Sequence, residues 1–227
     1  MPASQKTNTA HPAKTPQAAA IAGIAFAILF ALGVILIRLG ADGLSTGEFT
    51  GTTEWQLTLA MTLMPFSGIA FLWFLGVVRN HLGTHEDQFF ATVTLGSGLL
   101  FVAMSFVAFS VAAAMMTTYA SGQSNGNTYA LGRAIIDQAF NIYALKMAGV
   151  FMSSLGTLWQ KTGVMPKPLA LGTYILSVIM LISISHNLWL TLLFPTWVLI
   201  VSGFILVSGL RIRNARDAPS TEDPSSD

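Results

Sequence analysis

The residues that could do chemistry are concentrated in one segment, GRAIIDQAFNIYALKMAGVFMSSLGTLWQK, at residues 132–161. Four polar side chains lie in or just before an apolar run there: Arg133, Asp137, Asn141 and Lys146. Residues four positions apart are neighbours on a helix, so Arg133, Asp137 and Asn141 share one stripe. Two interpretations are open: a solvated ion pair at the start of a membrane helix, or a buried functional site.

Lys146 is the only charged residue that the sequence places well inside a membrane helix. It lies about 9 Å below the expected outer edge of the hydrocarbon, at 1.5 Å per residue. Its flexible side chain can reach back toward water, which is the structural interpretation. The functional interpretation is a solute path lined by polar residues, with these candidates: Lys146, Asn141, Ser97 and Ser105. A cationic lining favours an anionic or neutral solute.

The composition is that of a membrane protein. Of the 227 residues, 53% are hydrophobic and only 9% are charged, against about 25% charged in soluble domains. The mean hydropathy is +0.63. A formal net charge of +1, with no concentrated basic patch, gives no indication of a nucleic-acid partner. The chain has no cysteine, so the sequence excludes disulfides and thiolate chemistry.

Six apolar runs are close to the roughly 20 residues needed to cross a bilayer. They are Ala18–Ile37, Leu57–Val78, Phe89–Met116, Ala139–Trp159, Leu169–Ser185 and Leu190–Leu210. We therefore expect an all-α, polytopic membrane helical bundle with six transmembrane helices at residues 18–210. Residues 1–17 are expected to form a disordered tail, and residues 211–227 a basic and then disordered tail. The first run is too long for a typical cleaved signal peptide.

The distribution of basic residues predicts the orientation. With six spans, one face of the membrane would hold Lys6, Lys14, Arg79, Lys161, Lys167, Arg211, Arg213 and Arg216. The other face would hold only Arg38 and Arg133. Lysine and arginine are enriched in cytoplasmic loops, so both termini are predicted to be cytoplasmic.

Motifs for catalysis, cofactors and proton transfer are missing from the sequence. All ten acidic residues lie outside the six predicted spans, so the usual carboxylate relay of a proton-coupled pump is absent. No zinc-protease, nucleophile-elbow or phosphate-loop motif occurs. We therefore predict no catalytic residue, no metal site and no cofactor, and an enzyme remains open only without a recognisable motif.

His81 and His85 have the i, i+4 spacing that could hold a metal on one helix. A second interpretation assigns the segment to a helix start, because Thr84 followed by Asp87 matches a capping box. Under that interpretation the two imidazoles need not converge. The polar segment Thr117–Tyr129 is interpreted either as a ligand contact or as a connector.

The third apolar run carries small and weakly polar residues on one face: Thr94, Ser97, Ser105, Ala108 and Ala112, interrupted by Phe101. Small residues let helices approach closely in lipid, so we predict that this face packs on a neighbour. The segment FFATVTLGSGLLFVAMSF, with the loop before it (residues 79–107), resembles uncharacterised multi-pass integral membrane proteins of actinobacteria. That resemblance implies a plasma-membrane location and no known activity.

Two functions are consistent with the sequence. The first is a structural or interaction subunit of a membrane assembly, whose partners are the lipid bilayer and either another membrane protein or further copies of the chain. The alternative is a transporter or channel for a small anionic or neutral solute, with Lys146 lining the path.

The orientation can be tested with single cysteines at Gly47, Gly126 and Lys161, because the chain has no other cysteine. A membrane-impermeant maleimide added to intact cells is expected to label Gly47→Cys and Gly126→Cys but not Lys161→Cys. Detergent-permeabilised cells, in which all three should react, provide the control. Labelling of Lys161→Cys from outside would contradict the predicted orientation.

Overall fold

The computed structural model describes residues 15–41, 51–81, 88–122, 126–161, 166–183 and 188–216. These residues form seven α-helices and one π-helical segment. In chain order they are α1 (Thr15–Leu39), α2 (Gly51–His81), α3 (Gln88–Ala120), α4 (Gly126–Ile136), the π segment (Asp137–Ala144), α5 (Leu145–Lys161), α6 (Lys167–Ile182) and α7 (Leu188–Arg216). The predicted all-α class is confirmed for this part of the chain.

The apolar composition of these segments explains why they are helical. In a lipid environment each backbone amide and carbonyl needs a partner, and a helix supplies it within the segment. Prolines lie at helix starts or are tolerated inside long helices: Pro166 precedes α6 in an extended conformation, and Pro65 lies inside α2. After α3, Gly122 adopts a positive φ of 70°, a conformation that glycine adopts without strain.

Four helical spans are long and apolar enough to cross a membrane, where the sequence predicted six. They are Gln17–Leu39, Gly51–Arg79, Gln88–Ala120 and Leu190–Ser208. The fourth predicted span lies in a continuous helical stretch that changes from π to α geometry after Ala144, and the α-helical part, α5, has 17 residues. The fifth, α6, has 16 residues and measures about 24 Å at 1.5 Å per residue, which is short of about 30 Å of hydrocarbon.

The helices form a bundle with aromatic side chains at its centre. Helix α1 packs most extensively on α2 and α7, α3 packs on α5 and the π segment, and α5 packs on α6. The aromatic cluster comprises Phe26, Phe30, Phe71, Phe74, Phe101, Phe109, Phe140, Phe151, Phe194 and Trp197, all buried. Neighbouring rings have centroids as close as 4.6 Å, between Phe101 and Phe194, which is the range of favourable edge-to-face and tilted pairs.

The small-residue face of α3 is buried as predicted. Thr94, Ser97, Ser105, Ala108 and Ala112 are all buried. Gly98, on the same face, shows how closely the helices approach. A Cβ atom at Gly98 would lie 3.2 Å from a ring carbon of Phe151 and 3.3 Å from one of Phe71.

Several sequence-based interpretations concern residues outside the described ranges. These are most of the two tails (residues 1–14 and 217–227) and the proposed capping box at residues 84–87. The segment Thr117–Tyr129 is described in part. Its described residues are mostly helical, because α3 continues to Ala120 and α4 begins at Gly126.

Removing a ring from the aromatic cluster is expected to destabilise the bundle. Phe151 is fully buried and its ring contacts Phe71, Phe194 and Trp197. We expect Phe151→Ala to lower the free energy of unfolding by about 3 kcal/mol, the lower end for a buried phenylalanine, because lipid also solvates the ring in the unfolded state. Unfolding by SDS titration in mixed micelles measures the change. Phe66, with 58% of its surface exposed, is the matched control, and an equal loss for Phe66→Ala would contradict the prediction.

Candidate functional site

A chain of polar side chains lies at one end of the bundle, where α1 meets the π segment. The Arg38 Nη2 atom donates a hydrogen bond of 2.9 Å to Asn141 Oδ1. The Asn141 Nδ2 atom in turn donates one of 3.1 Å to Asp137 Oδ1. Asn141 is buried, with 2% of its surface exposed. The amide therefore uses its acceptor toward a cation and its donor toward an anion, which fixes its orientation.

These side chains line a cavity of about 80 Å³ between α1, α3, α4 and the π segment. Its polar lining consists of Arg38, Arg133, Asp137 and Asn141, and the remaining wall is apolar. Two guanidinium groups and one carboxylate give the described lining a net charge of +1. Because part of the wall is apolar, this charge acts in a medium of lower dielectric constant than bulk water, which strengthens its interactions.

The π segment positions two of the four polar residues. Asp137 begins it and Asn141 lies in its middle. In a π-helix the backbone hydrogen bonds join residues five apart, so each turn is wider than an α-helical turn. Such segments are rare and occur frequently at functional sites. Asp137 and Asn141, which the sequence places on one helical stripe, lie within hydrogen-bond distance, whereas the π geometry has no recognisable signal in the sequence.

Lys146 does not line this cavity, and its side chain forms a hydrogen bond to another helix. Its Nζ atom donates a hydrogen bond of 3.2 Å to the carbonyl oxygen of Leu181, in the last turn of α6. The last four carbonyls of an α-helix have no partner within it, and the negative end of the helix dipole attracts a cation there. The side chain was expected either to extend to water or to line a path. In the structure it caps α6.

The remaining candidates for the solute path lie on the buried face of α3. Ser97 donates to the carbonyl oxygen of Val93 at 2.6 Å, and Ser105 donates to that of Phe101 at 2.8 Å. Both hydroxyl groups are thus bonded to their own helix, as is common for serine in apolar helices. The structure brings Asn141 together with Arg38 rather than with Lys146 or the two serines. The solute path itself stays a prediction.

Arg38 is the residue that the sequence analysis assigned no role in a site. It is the penultimate residue of α1, and its partner Asn141 is 103 positions away in the chain, so local spacing could not reveal the contact. A signal did exist. The count of basic residues placed Arg38 and Arg133 alone on one face of the membrane, and both line the same cavity.

Within the described part of the chain, no group of three histidine, aspartate or glutamate side chains could hold a metal ion. The proposed pairing of His81 with His85 stays a prediction. His85 lies outside the described residues, and for His81 only the backbone is described.

Comparisons with protein families, curated proteins and solved structures found no match to this chain. The fold therefore defines a class only: an all-helical protein with four helices compatible with membrane insertion. The resemblance of residues 79–107 to uncharacterised actinobacterial membrane proteins gains no support from these comparisons and stays a prediction.

Replacing Asn141 tests the polar chain. Asn141→Leu leaves the Arg38 guanidinium and the Asp137 carboxylate without the amide between them. We expect the free energy of unfolding to fall by about 1.5–3 kcal/mol, the range for a hydrogen bond to a charged group. Gln138→Leu is the matched control, since Gln138 is exposed one turn away and its loss should cost under about 0.5 kcal/mol. SDS unfolding measures both, and equal stability of the two variants would refute the role of Asn141.

Proposed function

We propose that the chain is a multi-pass integral protein of the plasma membrane that crosses the bilayer six times, with both termini in the cytoplasm. The π segment and α5 form one uninterrupted helix with α4, which gives the fourth crossing enough length. Phe151, Met152 and Leu155 of α5 are fully buried, so α5 lies among the membrane-length helices. Helix α6 packs along α5 and can cross with local thinning of the bilayer. The asymmetry of basic residues supports the orientation.

Within that membrane protein, we propose the role of a structural or interaction subunit of a membrane assembly. The observation that carries this proposal is the aromatic cluster, because ten buried rings fill the centre of the bundle where a solute path would otherwise run. Buried hydroxyl groups on α2 and α3 bond to carbonyl oxygens of their own helices, as Ser67 does to Met64 and Ser105 does to Phe101. The partner is then another membrane protein or a second copy of the chain.

The alternative is a transporter or channel for a small anionic or neutral solute. The specific observation in its favour is the cavity with two arginines, which would attract an anion at one end of the bundle. Lys146 would contribute less than its position in the sequence indicated, because its ammonium group is bonded to the carbonyl oxygen of Leu181.

Purification and transport assays on one preparation separate the two roles. After solubilisation of native membranes in mild detergent, we expect the chain to elute with a stoichiometric partner or a second copy. In liposomes we expect radiolabelled acetate and chloride to cross no faster than in protein-free vesicles. A single chain per micelle with rapid flux would contradict the subunit role and favour the transporter.

Lys146→Met is expected to leave that assembly intact while lowering the free energy of unfolding by about 0.6–1.7 kcal/mol, the range for polar contacts between membrane helices. The loss follows from removal of the bond to Leu181. Lys146→Arg keeps a cationic donor and serves as the control. An unchanged stability in Lys146→Met, together with an abolished solute flux, would assign the lysine to a transport path instead.

A further inference from the structure

The cavity at the end of α1 has an excess of positive charge that its own described lining does not neutralise. Arg38 and Arg133 contribute two guanidinium groups, and Asp137 contributes one carboxylate. The carboxylate balances one of these two charges, and Arg38, unlike the exposed Arg133, is half-buried. A buried or half-buried charge needs a counter-charge or strong hydrogen bonds, because its solvation by water is reduced.

The orientation of Arg38 determines what kind of counter-charge fits. Arg38 is half-buried, and Asn141 holds one of its terminal nitrogens at 2.9 Å. A guanidinium carries five N–H donors in a planar fork, so donors remain beyond the one bonded to Asn141. This fork matches the two oxygens of a carboxylate or phosphodiester better than it matches a spherical halide.

The size and depth of the cavity are consistent with such a group. Its volume of about 80 Å³ is well above the roughly 10–15 Å³ that a single water needs. Arg38 is the penultimate residue of the apolar span Gln17–Leu39. The cavity therefore lies where the hydrocarbon ends and lipid headgroups begin. The apolar residues Ile37 and Phe140 also line it, which is suitable for the carbon atoms attached to an anionic group.

We propose that this cavity binds a singly charged oxyanion, held by Arg38 and Arg133 and positioned through Asn141. Its source is either the phosphodiester of an anionic phospholipid or a free small carboxylate. Asp137 leaves the described lining with a net charge of +1, which a singly charged ligand neutralises. The site goes beyond the subunit role proposed above and does not depend on it, since a structural subunit and a transporter could both carry it.

Two probes distinguish the sources. In the first experiment, protein purified in detergent is mixed with phosphatidylglycerol or with phosphatidylcholine, and retained lipid is counted by native mass spectrometry. In the second, lipid-depleted protein is titrated with sodium acetate against sodium chloride at constant ionic strength, and thermal stability is followed. Preferential retention of one phosphatidylglycerol per chain indicates a headgroup site. A saturable stabilisation by acetate alone indicates a free carboxylate.

Substitutions locate the binding to this cavity. Arg38→Gln and Arg133→Gln are each expected to weaken the observed binding about tenfold or more, as the loss of a charge-assisted hydrogen bond implies. Arg133 is exposed, so Arg133→Gln should fold even if Arg38→Gln does not. Arg79→Gln is the matched control, because Arg79 is an exposed arginine near the end of α2 and does not line the cavity.

The proposal is overturned if neither probe binds preferentially to the wild-type protein. It is also overturned if Arg133→Gln binds as tightly as the wild type or if Arg79→Gln loses binding equally. If the subunit assay failed, the lipid-retention and acetate-stabilisation measurements would still test this proposal, because neither measures assembly.

Discussion

Contact between aromatic rings at the centre of the bundle joins five of the seven α-helices and the π segment. Helices that are surrounded by lipid gain little from leaving it, because hydrocarbon solvates apolar side chains as well as a protein interior does. Association then depends on dense packing and on the preferred geometries of ring pairs, each worth about 0.5–1.5 kcal/mol. Because Gly98 has no side chain, the rings of Phe151 and Phe71 pack directly against this face of α3. The small residues of α3 and the aromatic rings therefore both contribute to the dense packing.

Helix α6 contributes no ring to that cluster, and hydrogen bonds add to the apolar packing of residues such as Met180. Ser177 Oγ donates to the carbonyl oxygen of Gly149 at 2.7 Å, where a Cβ atom at position 149 would lie 3.1 Å from the carbonyl oxygen of residue 177. Trp197 Nε1 donates to Thr173 Oγ1 at 2.8 Å, and Lys146 bonds to the last turn. Polar contacts of this kind fix the rotation of a short helix, because an unmet donor in an apolar interior is costly.

The sequence predicted those parts of the structure that depend on local periodicity. The apolar runs became helices, the small-residue face of α3 is buried, and Asp137 meets Asn141 across one turn. It did not predict contacts between distant segments, such as Arg38 with Asn141. Apolar run length predicted six membrane-length helices where the described residues have four. It takes no account of the change of helix type in the fourth run, and the fifth run forms a helix of only 16 residues.

That change of helix type links the polar chain to the rest of the bundle. A π turn advances each residue by a smaller angle than an α turn, so the faces calculated at α-helical spacing do not apply across Asp137–Ala144. Phe140 enters the aromatic cluster, where its ring meets Phe30 and Phe109, while the next residue, Asn141, reaches Arg38. Restoring α geometry over these eight residues would rotate α5 relative to α4, because each residue would then advance the helix by a larger angle. The wide turn therefore couples the charged cavity to the packing of α5 and α6.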